Sequence, residues 1–490
     1  MSDEPAFPGA SRRVARNALW RSAGEVIGKL ASVALFIVMA RELGREGFGD
    51  FVFALSLTTV LLLASGFGME ELLAREVSRE RSRVHHYLSN VATLKAVASV
   101  GLLGVALLVS LAGEHSRDAR LAVLFVGIGV AFENLGRTWH SVFQAYEQLQ
   151  LISISIIVQR TLTAAAGIAV LLTGGGLVAV SLVFMAGAMT GLAVATLVLR
   201  RFVVRPRWRV DRSTWSPLVR AGVPIGIAAL LFTVLLRLDT TLLGLLGGPQ
   251  ASEEVGVYGA AFRLVEATMF LSWAFGAAAL PWLASRDDPA QVARGYVLGL
   301  KAVTAILMPI GLTFVLLAEP IVGLMYGSQY DGSVLPLRLL GVMTIVYGAN
   351  SLASTLLISR DRPDAFTRVV GLVVVLNIGL NVALIPRYGA DGVAFAAALS
   401  AVLMLALTFW AVTSVTARVS IVRAFSGSLA GGALMVAATL VSGLPLIPAA
   451  AVGFVAYAAG LLVVEALVFP DDFAVLRHVI RRHPAQAAAP

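Results

Sequence analysis

Charged residues inside long apolar segments are the part of this sequence that could do chemistry. An arginine or lysine at membrane depth is costly, and it usually faces a protein-lined, often wet, interior. Eight basic residues fall in such segments against five acidic ones, which leaves an excess of three positive charges. The basic set is Lys29, Lys95, Arg137, Arg160, Arg237, Arg263, Lys301 and Arg338, and the acidic set is Glu25, Glu133, Asp239, Glu266 and Glu465.

Two of the acids are followed by a basic residue four positions later. Glu25 precedes Lys29, and Glu133 precedes Arg137. This spacing and this order place both side chains on one helix face and favour an intrahelical ion pair. The spacing leaves two interpretations open: the charges neutralise each other inside the bundle, or they contribute to a substrate site.

Other charges have less obvious local partners. Arg263 and Glu266 are three residues apart and could pair on one helix, whereas Arg237 and Asp239 are two apart and face different sides. Each of the latter two therefore needs a partner from another helix or from a ligand. Arg160 has no acid at helical spacing. Of all the charges, this arginine points most strongly to a polar cavity.

Three basic residues and two asparagines have simpler expected roles. Lys95, Lys301 and Arg338 fall toward the ends of their apolar segments, so we expect their long side chains to extend to the membrane interface. Asn377 and Asn381 are four apart in one segment, and their amides are expected to hydrogen-bond to neighbouring helices.

An excess of fixed positive charge in a low-dielectric cavity favours an anionic ligand. Arginine suits phosphate especially well, because its planar guanidinium donates two parallel hydrogen bonds. The sequence shows no catalytic constellation, no histidine pattern with metal-ligand spacing, and no phosphate-binding glycine loop with its lysine. We therefore expect a transporter for a phosphorylated or otherwise anionic solute, with no enzymatic activity, cofactor or metal.

Composition identifies the elements that must position these charges. Of the 490 residues, 58% are hydrophobic and only 14% are charged, whereas a soluble domain carries roughly 25% charged residues. The apolar runs are about 20 residues long and do not alternate, which predicts an all-α polytopic membrane protein rather than a barrel. The net charge of +9 comes largely from arginines in short loops, so anionic lipids are expected as the counter-charge, and nucleic acid is not.

The apolar windows predict about fourteen transmembrane helices, arranged as two six-helix lobes around a central cavity plus two C-terminal helices. The predicted parts are an N-terminal lobe over 1–200, a basic cytoplasmic linker over 201–220, a C-terminal lobe over 221–413, and two extra helices with a cytoplasmic tail over 414–490. Lysine and arginine concentrate in alternate loops and in the linker. This bias predicts a multi-pass protein of the cytoplasmic (inner) membrane with both termini in the cytoplasm.

A short pattern occurs twice, as Gly-x-aromatic-x-x-Ala at 49–54 and at 256–261. An even number of predicted spans separates the two copies, so both have the same orientation. The pattern therefore predicts a parallel repeat, with two bundles related by an axis along the membrane normal.

Several stretches together resemble the bacterial polysaccharide exporters of the multidrug/oligosaccharidyl-lipid/polysaccharide exporter superfamily. Their order and spacing are more specific than any one of them. These stretches are Asn17-Ala18-Leu19-Trp20, Ala40-Arg41-Glu42-Leu43-Gly44 with Phe48-Gly49, Leu238-Asp239, Gly256 to Leu264, and Asn377 to Gly392.

This resemblance implies a flippase that moves a polyprenyl-diphosphate-linked oligosaccharide repeat unit across the cytoplasmic membrane by alternating access, for surface polysaccharide biosynthesis. The implied partners are the lipid-linked glycan, membrane lipids, and a glycan polymerase or glycosyltransferases. From the resemblance only Arg263 is expected in the cavity, whereas depth and pairing add Arg160, Arg237, Arg137 and Lys29. Coupling or charge pairing is expected of Asp239, Glu266, Glu133 and Glu25.

Two other functions compete with this one. A cation-coupled multidrug efflux transporter would favour acidic groups over arginines in its cavity. A membrane scaffold of a glycan-assembly complex, without transport of its own, would have no use for arginines in the middle of its spans.

Overall fold

The structure is a computed structural model that describes residues 8–113, 115–416 and 419–472, with the side chains of the first helix described from residue 28 onward. Within these ranges the regular elements are helices, and ten of them are long and apolar enough to cross a membrane. The predicted all-α membrane fold is thus confirmed. The helices are α1 Pro8–Leu63, α2 Met69–Arg79, α3 Val84–Ala112, α4 Arg117–Ala145, α5 Leu149–Leu172, α6 Leu177–Val198, α7 Trp215–Leu246, α8 Ala251–Ala284, α9 Pro289–Leu316, α10 Ala318–Tyr326, α11 Val334–Ser359, α12 Pro363–Val412, α13 Ile421–Ser442 and α14 Leu446–Val468.

Two helices, α1 and α12, are longer than a bilayer is thick. They have 56 and 50 residues, and at 1.5 Å per residue each would exceed twice the ~30 Å hydrocarbon core. Each breaks at one glycine with a positive φ, Gly44 (67°) in α1 and Gly389 (48°) in α12. Each helix thus supplies two helical segments that join at its glycine. The total of about fourteen spans remains a prediction.

The break in α12 is fixed by a carboxylate as well as by glycine. The backbone N–H of Ala390 donates to Glu254 Oε2 at 2.7 Å, and a Cβ at Gly389 would overlap that carboxylate. We therefore expect Gly389→Ala to cost on the order of 1–3 kcal/mol, because it combines a disfavoured φ with a clash. Thermal unfolding in detergent would measure this loss.

The matched control is Gly379→Ala in the same helix. A Cβ there meets nothing within 4 Å, and alanine is the better helix former, so stability should stay equal or rise. Equal stability of both variants would contradict the proposed strain at Gly389.

The two copies of the predicted repeat meet at their glycines. A Cβ at Gly49 would lie 2.8 Å from the backbone nitrogen of Gly256, and it would overlap the carbonyl of Ser252. Ser252 Oγ also donates to Asp50 Oδ1 at 2.5 Å. The second segment of α1 and the start of α8 therefore touch backbone to backbone at the position where the pattern repeats. The axis relating the repeats remains a prediction.

By compactness the chain divides into two units. The first comprises Met1–Ala260 with Asn381–Ala390, and the second comprises Ala261–Leu380 with Asp391–Pro490. This division groups α7 and the start of α8 with the first unit. The predicted lobes over 1–200 and 221–413, separated by the basic linker, remain a prediction.

The linker itself is bound to α3 within the first unit. Ser89 Oγ donates to the Arg209 carbonyl at 2.7 Å, and the backbone N–H of Asp211 donates to Asn90 Oδ1 at 2.8 Å. Trp215 Nε1 donates to the same amide oxygen at 3.3 Å. These bonds fix the direction in which the chain enters α7.

Helix α2 occupies a stretch predicted only as a basic loop between the second and third spans. Its buried side chains Met69, Leu72, Leu73 and Val77 follow the spacing of one helix face and pack in a core with α3 and α4. Burial of this face turns the helix so that Glu70 points inward.

Candidate functional site

A cavity of about 640 Å³ lies in the first unit, enclosed by α2, the C-terminal halves of α4 and α6, and the N-terminal half of α5. Gly136 of α4 contributes open space, since a Cβ there would meet no atom within 4 Å. Most of the polar lining comes from long charged or amide side chains. These are Glu70, Glu71, Arg75, Glu133, Arg137, His140, Gln144, Gln159 and Arg160.

Arg160, the residue that pointed most strongly to a polar cavity, lines this one. It is half-buried in α5, and its aliphatic part packs on Gly28 of α1, where a Cβ would lie 2.8 Å from Arg160 Cδ. A side chain at residue 28 would force the guanidinium to move. The glycine in α1 thus makes room for the arginine of α5.

Glu133 is the carboxylate at the centre of the lining. It accepts a hydrogen bond from Gln159 Nε2 at 2.5 Å, and Gln159 in turn packs against Gly191 of α6. Arg137 and Arg160 both act on this carboxylate electrostatically. One acid is therefore shared by two arginines and an amide.

A second carboxylate, that of Glu70, is supplied by α2. Lys95 Nζ donates to Glu70 and, at 2.6 Å, to the Asn134 carbonyl, while Arg137 Nε lies 3.7 Å from Glu70 Oε1. Burial alone would raise the pKa of Glu70, but Lys95 and Arg137 outweigh it and hold this pKa below its ordinary value.

The expectation that Lys95 reaches the membrane interface is therefore wrong. The side chain is 1% exposed, because Glu70 provides a partner inside the protein. Sequence reasoning missed Glu70 because its segment was interpreted as a loop. The available signal was the apolar spacing that follows Gly68, with two glutamates in the first turn.

The cavity is mixed in charge rather than purely cationic. Together with Lys95 behind Glu70, four basic residues oppose three acidic ones, so the local excess is one positive charge. The basic set is Lys95, Arg75, Arg137 and Arg160, and the acidic set is Glu70, Glu71 and Glu133. His140 adds a neutral polar group, with Nε2 at 2.8 Å from Ser155 Oγ.

Asp239 takes its partners from other helices, as its spacing predicted. The carboxylate is 3% exposed, accepts from Asn381 Nδ2 at 2.7 Å, and lies 3.4 Å from the Tyr258 hydroxyl. This contact and the 3.2 Å bond from Asn377 Nδ2 to the Ser400 hydroxyl show both asparagines joining helical segments, which confirms that expectation.

Two other predicted site residues, Arg237 and Lys29, are not part of the cavity lining. Arg237 is half-buried on α7 and acts electrostatically on Tyr258. Lys29 is half-buried near the start of the described side chains of α1, and Glu25 lies outside the residues whose side chains are described. Arg338 is exposed, in keeping with the interfacial position predicted for it.

Arg263 belongs to the second unit and is paired. Its Nη1 lies 2.6 Å from Glu266 Oε2, and the arginine side chain is 8% exposed. The ion pair predicted from the three-residue spacing is confirmed. The structure therefore shows Arg263 held by a carboxylate, and its role toward substrate remains a prediction.

The second unit also contains a buried charge cluster that corrects the prediction for Lys301. Lys301 Nζ lies 2.6 Å from Glu465 and 2.9 Å from Asp472, and its side chain is 3% exposed instead of reaching the interface. Arg423 donates two hydrogen bonds of 2.8 Å to Asp472, and the Phe469 ring lies 4.0 Å from Lys301 Nζ. The carboxylates that hold the lysine come from α14 and the residues after it.

The chain resembles known transporters in sequence. A family model described as "Polysaccharide biosynthesis protein" matches residues 14–286, which is more than half of the chain. A probable low-salt glycan biosynthesis flippase of Haloferax volcanii is 22% identical over 369 residues, covering 74% of this chain and 75% of the relative. A putative O-antigen transporter of Shigella flexneri is 20% identical over 426 residues, covering 82% and 98%.

Solved structures show the same fold at low identity. The lipid II flippase MurJ in an inward closed conformation matches with a TM-score of 0.75 and 12% identity, over 91% of this chain and 99% of MurJ. An inward-facing multidrug resistance MATE transporter of the MOP superfamily matches with a TM-score of 0.60 and 14% identity, over 79% and 95%. The family match and these likenesses confirm the resemblance noted from the sequence, and the chain belongs to the polysaccharide biosynthesis protein family, with a MurJ-like fold.

Proposed function

We propose that this protein moves a polyprenyl-diphosphate-linked oligosaccharide repeat unit across the cytoplasmic membrane by alternating access, for surface polysaccharide biosynthesis. The observation behind the proposal is the cavity lined by Arg137 and Arg160, both of which act on the carboxylate of Glu133. The two relatives support it, since one is named as a glycan biosynthesis flippase and the other as an O-antigen transporter.

The chemistry of the cavity suits a diphosphate. Two arginines can each donate a pair of parallel hydrogen bonds to phosphate oxygens. A diphosphate carries more negative charge than a glutamate, so it can compete with Glu133 and Glu70 for the guanidinium groups. The hydroxyl, amide and imidazole groups around them add donors for the adjoining sugar, notably Ser141, Gln144 and His140.

The position of the cavity fits loading from the cytoplasmic side. Its walls are α2, the C-terminal ends of α4 and α6, and the start of α5. Because successive spans run in opposite directions, these helix ends lie on the same side of the membrane. The predicted orientation, with both termini in the cytoplasm, puts that side at the inner leaflet. A substrate entering there would meet the arginines before crossing the membrane.

Filling the cavity should impair transport without disturbing the fold. We expect Gly136→Leu to reduce glycan export by about tenfold or more, because the new side chain occupies space now open and removes binding energy on the order of 1.4 kcal/mol. Surface glycan in cells that depend on the plasmid-borne protein would report export, and quantitative blotting of membranes would report the amount of protein.

Gly136→Ala is the control, because one methyl group at this open position leaves most of the volume available. We expect its export to match that of the wild type. Full export by Gly136→Leu at normal protein levels would contradict the assignment of this cavity to substrate.

Cation-coupled drug efflux is the alternative that the MATE-like fold keeps open. The buried acid Asp239, held by Asn381, is the residue that such a mechanism would use. Raised tolerance to cationic dyes on expression, lost in Asp239→Asn, would favour efflux over flipping. A scaffold without transport predicts that neither Gly136→Leu nor Asp239→Asn affects export.

A further inference from the structure

An apolar groove of about 460 Å³ runs along α6 beside the charged cavity. Phe132 of α4 forms one wall, and the other residues come from one face of α6 and from the π-helical turn Leu199–Val203 that follows it. Those used below are Met189, Leu192, Ala193 and Leu197. Phe132 and Leu192 also line the charged cavity, so the two spaces adjoin.

We propose that this groove binds the first isoprene units of the polyprenyl chain while the adjoining cavity holds the diphosphate, so that substrate enters sideways from the inner leaflet past α6. The inference rests on the proposed function. The lipid-chain site would lie in the first unit, between Phe132 of α4 and the exposed face of α6.

The junction between groove and cavity has the geometry that an amphiphile needs. Phe132 and Glu133 are consecutive in α4, so apolar and charged lining meet within one turn of a helix. A polyprenyl diphosphate changes from hydrocarbon to charge over a comparably short distance. Its phosphates would lie beside Arg160 and Arg137 when its first isoprene units contact Phe132 and Leu192.

The groove differs from an ordinary lipid-facing helix surface. Met189 and Leu197 are 46% and 68% exposed, as expected for a surface in contact with acyl chains. Here, however, the surface is concave, and it adjoins the cavity that contains Arg137 and Arg160. Annular lipids need neither feature, whereas a polyprenyl diphosphate is complementary to both.

The sequence contains no cysteine, so a single introduced thiol can carry a photoreactive group at a chosen place. In the test, the thiol of the Ala193→Cys variant is modified with a benzophenone maleimide. The full-length protein is then placed in phosphatidylcholine vesicles. The vesicles contain radiolabelled polyprenyl diphosphate, polyprenol or phosphatidylglycerol, and cross-linking is measured after illumination. Leu182→Cys is the matched control, because it is 39% exposed on the same helix near its other end.

We expect polyprenyl diphosphate to be captured about tenfold more at Ala193→Cys than at Leu182→Cys. The added substitution Arg160→Ala should lower that yield to the level seen with polyprenol. Equal yields at both positions would overturn the proposal, as would equal capture of phosphatidylglycerol, which would identify a general anionic-lipid surface.

The outcome can be separated from that of the proposed function. Equal cross-linking at both positions, combined with loss of export in Gly136→Leu, would reject the groove and leave the flippase proposal intact. Selective cross-linking at Ala193→Cys, combined with normal export by Gly136→Leu, would support the lipid site and reject transport through the cavity.

Discussion

Replacing Arg160 with alanine is expected to reduce glycan export by about ten- to a hundredfold while the protein still inserts and folds. A hydrogen-bonded charge pair with a phosphate contributes about 1.5–3 kcal/mol, and each 1.4 kcal/mol corresponds to a factor of ten. The half-buried guanidinium lies in the cavity wall against Gly28, where truncation enlarges the cavity instead of creating a clash. Surface glycan, normalised to protein in the membrane, measures the effect.

Two further variants show why export falls in Arg160→Ala. They separate the loss of a charge that binds substrate from the loss of a charge that neutralises Glu133. Arg338→Ala removes an exposed arginine and should leave export unchanged. The double variant Arg160→Ala/Glu133→Gln removes both partners of the local charge balance. If Arg160 serves substrate, export stays low in the double variant, whereas recovery of export would show that the arginine only neutralises Glu133.

Replacing Lys301 with methionine is expected to destabilise the protein by about 3–5 kcal/mol, the usual effect of removing one partner from a buried ion pair. Glu465 and Asp472 would both lose the ammonium group that now lies within 3 Å, and their side chains are only 6% and 1% exposed. Thermal unfolding of the detergent-solubilised protein would show a lower melting temperature. The triple variant with Glu465→Gln and Asp472→Asn should recover most of the loss.

The same cluster makes an acid-dependent contribution to stability. Burial disfavours the charged form of Asp472, but hydrogen bonds from Arg423 and Lys301 outweigh it and lower the pKa of this carboxyl below its ordinary value. The contribution is therefore complete above the ordinary carboxyl pKa, and it is lost as the pH falls through the lowered one. Unfolding of Asp472→Asn should depend less on pH across that acidic window, and an unchanged dependence would contradict this assignment.

Properties that depend on neighbouring residues could be predicted from the sequence. Apolar runs of spanning length predicted helices in a membrane, because the bilayer selects for length and hydrophobicity alone. The three-residue spacing of Arg263 and Glu266 predicted an ion pair, since helix geometry fixes which side chains meet. The matching stretches also indicated the family, because they follow one another in the family's order and spacing.

Contacts between distant segments were decided by tertiary structure. Lys95 and Lys301 were expected at the interface, but partners 25, 164 and 171 residues away hold them inside. No periodicity encodes such a pairing. It depends on α2 folding as a helix and on α14 packing near α9.

The sequence by itself determined that this chain is a helical membrane transporter with buried positive charge, because composition and local spacing report directly on solvent and helix geometry. Only the tertiary structure decided which distant charges pair and which charges line a cavity. Arg160 and Arg263 are both arginines in apolar runs, but only Arg263 has a carboxylate at helical spacing. Arg263 therefore pairs with Glu266 one turn away, whereas Arg160 lines a cavity in which Gly28 of α1 leaves room for its side chain.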